Sequence, residues 1–205
     1  MSAADPVRSF IALTPTPDLR AAVAAILRRC KKAVPDRGVS WVREENLHIT
    51  LRFLGMLSRE TLDALRMQLE GCYPHVPAFG LRLHGIGMFP SRRRPRVLSL
   101  TVEADGDRME ALRSETDAAC ERVGLEQDPK PFQAHMTLAR FRSRVARGKS
   151  RGLPGVPRAL ADLLKEYEKG TAGEFHVESV SLFESRLTGT GPVYTCLKEF
   201  RLDAD

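Results

Sequence analysis

Apolar residues recur along the chain with two periods, and the switches between them outline the elements. Residues 8–13 (RSFIAL) alternate as a strand does. In the turn that follows, Asp18 can cap free N–H groups, and Leu19, Val23, Ile26, Leu27 and Cys30 then repeat at helical spacing, predicting a helix over 19–32. The break at 35–38 leads to a strand at 39–42. Residues 47–53 (LHITLRF) alternate again, and Gly55 ends the run. Ser58 caps a helix over 59–71 with Leu62, Leu65 and Leu69 on one face. Two strands, 79–88 and 96–103, flank a basic, proline-bearing loop, and a helix over 107–123 closes at Gly124. Residues 133–141 (QAHMTLARF) form another alternating strand, 142–155 a polar loop and 157–168 a short helix. Strands at 175–184 and 193–202 finish the chain. Strands joined by short turns, interspersed with helices, favour an α+β protein whose antiparallel sheets carry helices on their outer faces.

Length and composition refine this. A chain of 205 residues suits one domain or one compact body of two lobes, and at this size folding buries roughly 70% of the surface of the open chain. No apolar run approaches the ~20 residues that cross a bilayer, and residues 1–8 lack a secretory signal, so the expectation is a cytoplasmic protein with no membrane partner. Four scattered cysteines without metal-ligand spacing read as reduced thiols. The net charge of +6, mostly arginine, suits polyanions without specifying one.

One pattern occurs twice. Leu47-His48-Ile49-Thr50-Leu51-Arg52-Phe53 and Ala134-His135-Met136-Thr137-Leu138-Ala139-Arg140-Phe141 each place His-x-Thr-Leu on an alternating strand. On a strand, residues i and i+2 share a face. His48 and Thr50 therefore stand together, opposite Ile49 and Leu51, and His135 and Thr137 opposite Met136 and Leu138. The apolar set needs a core, so the polar set faces a cleft. If two lobes are related by a pseudo-twofold, the two polar faces can meet across one groove. Two imidazoles and two hydroxyls there suit phosphodiester hydrolysis: one neutral ring takes a proton from water, and the other, protonated, gives one to the leaving oxygen. Hydroxyls hold phosphate oxygens, and Arg140 offers a planar fork for the same anion.

At these residues the chain resembles the 2H phosphoesterase superfamily. Within it the chain is similar to the LigT-like RNA 2′,3′-cyclic 3′-phosphodiesterases, also called 2′-5′ RNA ligases. The likeness extends from about Arg8 to Leu202 and includes Trp41, the stretch from Glu45 to Gly55, Gly85 to Phe89, Arg94 to Leu98, Leu182 to Ser185 and Gly191 to Tyr194. It implies a bilobal fold of two pseudo-symmetric antiparallel sheets with a central cleft, each lobe contributing one motif. It implies metal-independent, cofactor-free opening of RNA 2′,3′-cyclic phosphate ends to 2′-phosphomonoesters, with possible reverse ligation. In these terms His48 is the proton donor to the leaving 3′-oxygen, His135 the acceptor from water, and Thr50, Thr137 and Arg140 hold the phosphate. The chain departs from many relatives at Ser99, where an aromatic is common.

Other residues have more than one reading. Phe53 is a candidate base contact or a core residue, and core packing is favoured. Trp41 reads as structural. Arg92, Arg93, Arg94 and Arg96 suit a solvated hairpin tip, with Arg94 a candidate RNA contact. His75, His84 and His176 lack metal-site spacing. There is no Walker loop and no nucleotidyl-transfer lysine motif. Two alternatives stand beside the leading expectation of a monomer acting on RNA with a cyclic phosphate end. One is the same chemistry on another small cyclic or 2′-5′-linked nucleotide. The other is a non-catalytic RNA-binding protein.

Overall fold

The computed structural model describes residues 5–34, 38–92, 95–129, 131–141, 157–168, 170–189 and 191–204, together with the backbone of 144–146 and 149–151. The strands are β1 (Val7–Leu13), β2 (Val39–Trp41), β3 (Ile49–Leu57), β4 (Phe79–Phe89), β5 (Val97–Ala104), β6 (His135–Phe141), β7 (Arg144–Ala146), β8 (Lys149–Arg151), β9 (Thr171–Val177), β10 (Ser179–Thr188) and β11 (Gly191–Arg201). The helices are α1 (Pro17–Ala33), α2 (Arg59–Cys72), α3 (Arg108–Arg122) and α4 (Arg158–Glu166).

The main sheet runs β11-β10-β1-β3-β6-β5-β4-β9, with β2 beside β6. Every pairing in it is antiparallel. Its middle is thin: β3 and β6 share one residue pair, Ile49 with Met136. On either side lie four strands, β11-β10-β1-β3 and β6-β5-β4-β9, so the two expected antiparallel sheets are halves fused at a single bridge. Helices cover the outer face. α1 packs on β9 and α4, while α2 and α3 pack on each other and behind β11 and β3. Val23, Leu27, Leu65, Leu69 and Leu112 are buried there and join one continuous core with Ile49, Met136 and Leu138. Each such side chain contributes roughly 1.5–3 kcal/mol of burial.

Local chemistry explains the boundaries. Thr16, rather than Asp18, caps α1: its hydroxyl accepts from the Leu19 N–H, Pro17 opens the first turn and Asp18 lies within it. Ser58 caps α2 by accepting from the Thr61 N–H at 3.1 Å. β3 does not stop at Gly55 but runs through it to Leu57, with Gly55 at φ 75°. Within the expected loop at 142–155, β7 and β8 pair with each other as two short antiparallel strands. The strand expected over 175–184 is two strands. β9 pairs with β4 in one half and β10 with β1 in the other, and the chain crosses between halves at Glu178. Among the described residues no helix is long and apolar enough to cross a membrane.

Candidate active site

The bridge that joins the halves is made by the middle residues of the two His-x-Thr motifs. Because Ile49 faces Met136 in an antiparallel pair, the flanking positions follow: His48 lies across from Thr137, and Thr50 across from His135. Ile49 and Met136 are buried, so their four polar neighbours share the opposite, concave face. In a regular ladder the diagonal partners, His48 and His135, stand about 7–8 Å apart at Cα. Side chains projecting from such positions leave room for a tetrahedral phosphate between them.

Both rings are held the same way. His48 Nδ1 meets the Asn46 carbonyl oxygen at 2.7 Å, and His135 Nδ1 meets the Gln133 carbonyl oxygen at 2.8 Å. A carbonyl only accepts, so each Nδ1 carries the proton and each Nε2 is left to work in the cleft. His48 Nε2 lies 3.1 Å from Thr50 Oγ1. Burial lowers the pKa of His48 below its ordinary value, the Asn46 hydrogen bond opposes it, and the neighbouring Arg140 and His135 lower it further. That His135 and Arg140 act on His48 at all places the three groups within electrostatic reach of one another.

A β-bulge follows each motif. In β3, Thr50 pairs with Ala12 and Arg52 with Ile11, leaving Leu51 as the extra residue. In β6, Thr137 pairs with Ser99 and Ala139 with Leu98, leaving Leu138 extra. One extra residue shifts the alternation by one position. Hence the residue three after each threonine, Phe53 in β3 and Arg140 in β6, returns to the cleft face. Strict alternation favoured a core position for Phe53; it is instead 58% exposed and lines the cleft. Arg52 turns outward into a buried network. Both bulged carbonyls are satisfied: Leu138 O accepts from the Val42 N–H at 2.9 Å, and Leu51 O from the Arg113 guanidinium.

The cleft has a volume of about 520 Å³ and is lined by His48, Thr137, Arg140, Arg8, Arg43 and an aromatic group on the first half. Phe10 sits 5.0 Å from the His48 ring, and Tyr194 approaches it edge-on at 5.4 Å. Three arginines and, among the described lining residues, no carboxylate make it an anion site. Trp41, expected to be structural, packs on the core and also lines the cleft. Asn46 donates its side-chain amide to the Pro192 carbonyl at 2.9 Å, tying the His48 segment to the β10–β11 hairpin. Phe10, Tyr194 and Asn46 received no role from the motifs; the alternation of β1 and the two-residue offset before His48 were the available signals. Arg94 lies outside the described residues. His84 pairs with Glu103 at 3.9 Å, away from the cleft. Among the described residues no group of three or more His, Cys, Asp or Glu side chains could hold a metal ion.

Known proteins are similar to this chain over most of its length. Two consecutive stretches, 13–99 and 100–194, each match the family described as LigT like Phosphoesterase, so each match contains one His-x-Thr motif. An RNA 2′,3′-cyclic phosphodiesterase of Thermus thermophilus is 35% identical over 184 residues, spanning 87% of this chain and 83% of its own. One of Methanothermobacter thermautotrophicus is 32% identical over 196 residues, spanning 96% and 99%. The crystal structure of E. coli LigT complexed with 3′-AMP superposes with a TM-score of 0.72 at 25% identity, covering 97% of this chain and 99% of that one. The chain belongs to the LigT-like phosphoesterase family.

Proposed function

We propose that this protein hydrolyses the 2′,3′-cyclic phosphate end of RNA to a 2′-phosphomonoester, by general acid–base catalysis between His48 and His135 and without a metal ion. The observation that supports this is the Ile49–Met136 bridge, which brings the two His-x-Thr motifs side by side with their polar residues on one face. The names of the relatives, and the nucleotide bound to E. coli LigT, support a nucleotide phosphodiester as substrate. The whole chain is then one domain of two pseudo-symmetric lobes, each supplying one motif.

The steps are these. Thr50, Thr137 and Arg140 hold the non-bridging phosphate oxygens, and the aromatic group beside His48 takes the nucleoside. His135 Nε2 accepts a proton as water attacks phosphorus. The bond from phosphorus to O3′ breaks opposite the incoming water, and His48 Nε2 delivers its proton to O3′. The 2′-ester bond stays intact. His48 is neutral in the free protein near neutral pH, because burial and the nearby Arg140 guanidinium disfavour its charge. A bound phosphate anion offsets Arg140 and adds a partner for the charged ring, so substrate itself loads the acid. With a 5′-hydroxyl in place of water, the same steps run as 2′-5′ ligation.

The test is turnover of an RNA oligonucleotide with a cyclic phosphate end in EDTA, for wild type, His48→Ala and His135→Ala. The proposal expects wild-type activity to survive EDTA and each variant to lose it while keeping the native circular dichroism spectrum. Activity that needs added metal, or a fully active variant, contradicts it.

A further inference from the structure

The face that carries His135 and Thr137 continues across β5 and β4 as a run of small residues. Register pairs Thr101 with His135 and Ser99 with Thr137 across β5–β6, and Gly87 with Ser99 across β4–β5. Direct cross-strand partners point to the same side of a sheet, so these five residues form one patch. Ser99 is 1% exposed, and its hydroxyl has no hydrogen-bond partner among the described residues. A buried hydroxyl left in that condition carries an uncompensated desolvation cost, and native proteins usually meet it with water or ligand. Gly87 supplies the room. A Cβ built there would lie 3.9 Å from Ser99 Oγ, 3.9 Å from Thr101 Oγ1 and 3.9 Å from the Ser99 carbonyl oxygen, and among the described residues no heavy atom outside its own neighbours lies nearer. The result is a recess about one methyl group deep, rimmed by two hydroxyls and a carbonyl. Buried water takes about 2–4 polar partners, and the recess offers three. Phe89, two residues along β4, bounds it with its ring 5.7 Å from that of His135.

We infer that this recess seats the attacking water, with Ser99 and Thr101 as its positioning residues. The inference rests on the cyclic phosphodiesterase function proposed above. In-line attack requires the nucleophile opposite the departing O3′. The aromatic group beside His48 places the nucleoside on the first half, which leaves the second half for the nucleophile. A water held by Ser99 Oγ and Thr101 Oγ1 stands one strand from His135 and Thr137. As it bonds to phosphorus, its proton passes to His135 Nε2 and O3′ leaves with the proton of His48. The two hydroxyls orient the water and exchange no net proton.

Gly87 is not in a left-handed conformation, so Gly87→Ala fills the recess with one methyl and no backbone strain. Ser99→Ala keeps the shape and removes the hydroxyl. The substrate is adenosine 2′,3′-cyclic phosphate, the binding probe is 2′-AMP, and methanol competes with water as nucleophile. Each variant should lower kcat about tenfold, the effect of losing one hydrogen bond in the transition state, while KM and 2′-AMP affinity stay within about twofold. Methanol is bulkier than water, so its share of product should fall in Gly87→Ala and rise in the less polar recess of Ser99→Ala. A destabilised fold would not move that partition in opposite directions. Wild-type kcat in both variants, or equal losses in kcat and 2′-AMP binding with the partition unchanged, overturns the inference while leaving the proposed function standing. A wild-type protein that opens no cyclic phosphate removes both.

Discussion

Arg113 lies on the helix side of the sheet, yet it governs the cleft face of β3. It donates to the carbonyl of Leu51, the bulged residue, and through Nε to Asp117 Oδ2 at 2.6 Å. Asp117 also accepts from Arg52, which is 3% exposed, and Arg52 reaches the Glu126 carbonyl in turn. The Arg113 guanidinium also stacks 5.1 Å from the Phe132 ring. Replacing it by Met keeps much of the packing but strands the Leu51 carbonyl and leaves Asp117 with Arg52 alone. A buried carbonyl without a partner costs about 1–3 kcal/mol, and breaking a buried ionic network about 3–5 kcal/mol. Asp117 keeps one partner and is partly exposed, so the lower end applies and we expect a loss of about 3 kcal/mol. For a chain of this size that lowers Tm by roughly 6–12 °C. Such a protein remains folded at 25 °C, given the usual 5–15 kcal/mol of total stability. The loss should also reach the cleft, because the bulge alone returns Phe53 to the face of His48. Urea unfolding and kcat/KM on adenosine 2′,3′-cyclic phosphate should be measured together, with Asp117→Asn as the milder control. A stability change below about 0.5 kcal/mol, or a loss of about 3 kcal/mol with native kcat/KM, refutes this reasoning.

Further outcomes follow from the same geometry. His48→Ala and His135→Ala should each reduce kcat by about 10²–10⁴, the range for one positioned acid or base, with Tm changed little for the more exposed His135. Proton NMR should find His48 titrating below its ordinary value in the free protein and higher once 2′-AMP is bound; an unchanged value on binding contradicts the loading of the acid by phosphate. Because the unfolded chain protonates this histidine more readily, unfolding free energy should fall as pH drops below about 6.5, and His48→Gln should flatten that dependence. Phe53→Ala should raise KM for cyclic nucleotides several-fold and leave Tm within about 2 °C, since its exposed ring supplies little burial energy. Asn46→Ala, which cuts the tie to Pro192, should lower kcat more than it raises KM if His48 depends on that segment for its orientation.

Much of this was legible in the chain. Alternation alone put Ile49 and Met136 in the core and the two histidines on the opposite face, because a residue between two polar neighbours in a strand must point the other way. That the two strands meet at those very residues was not legible, since pairing across 87 positions leaves no local trace. The bulges were hidden for a related reason. Leu51 and Leu138 look like ordinary core positions, and only the partner strand reveals that one residue is extra, so Phe53 was expected inside, and Arg140 was assigned to the phosphate without a reason in the alternation for its side chain to reach the cleft. The division of 175–184 did leave a mark. Buried Phe175 and Val177 occupy odd positions while buried Val180 and Leu182 occupy even ones, and that change of phase is the crossing between halves. The Arg52–Asp117–Arg113 network joins elements remote in sequence, and no spacing rule could have assembled it.

The most direct test of the central claim is the phosphorus NMR spectrum of an RNA bearing a terminal 2′,3′-cyclic phosphate, incubated with the protein in EDTA. Two histidines facing one phosphorus, with the acid beside O3′, predict that the cyclic signal is replaced by that of a 2′-phosphomonoester alone. A 3′-phosphomonoester, or a cyclic signal that persists until metal is added, contradicts the account.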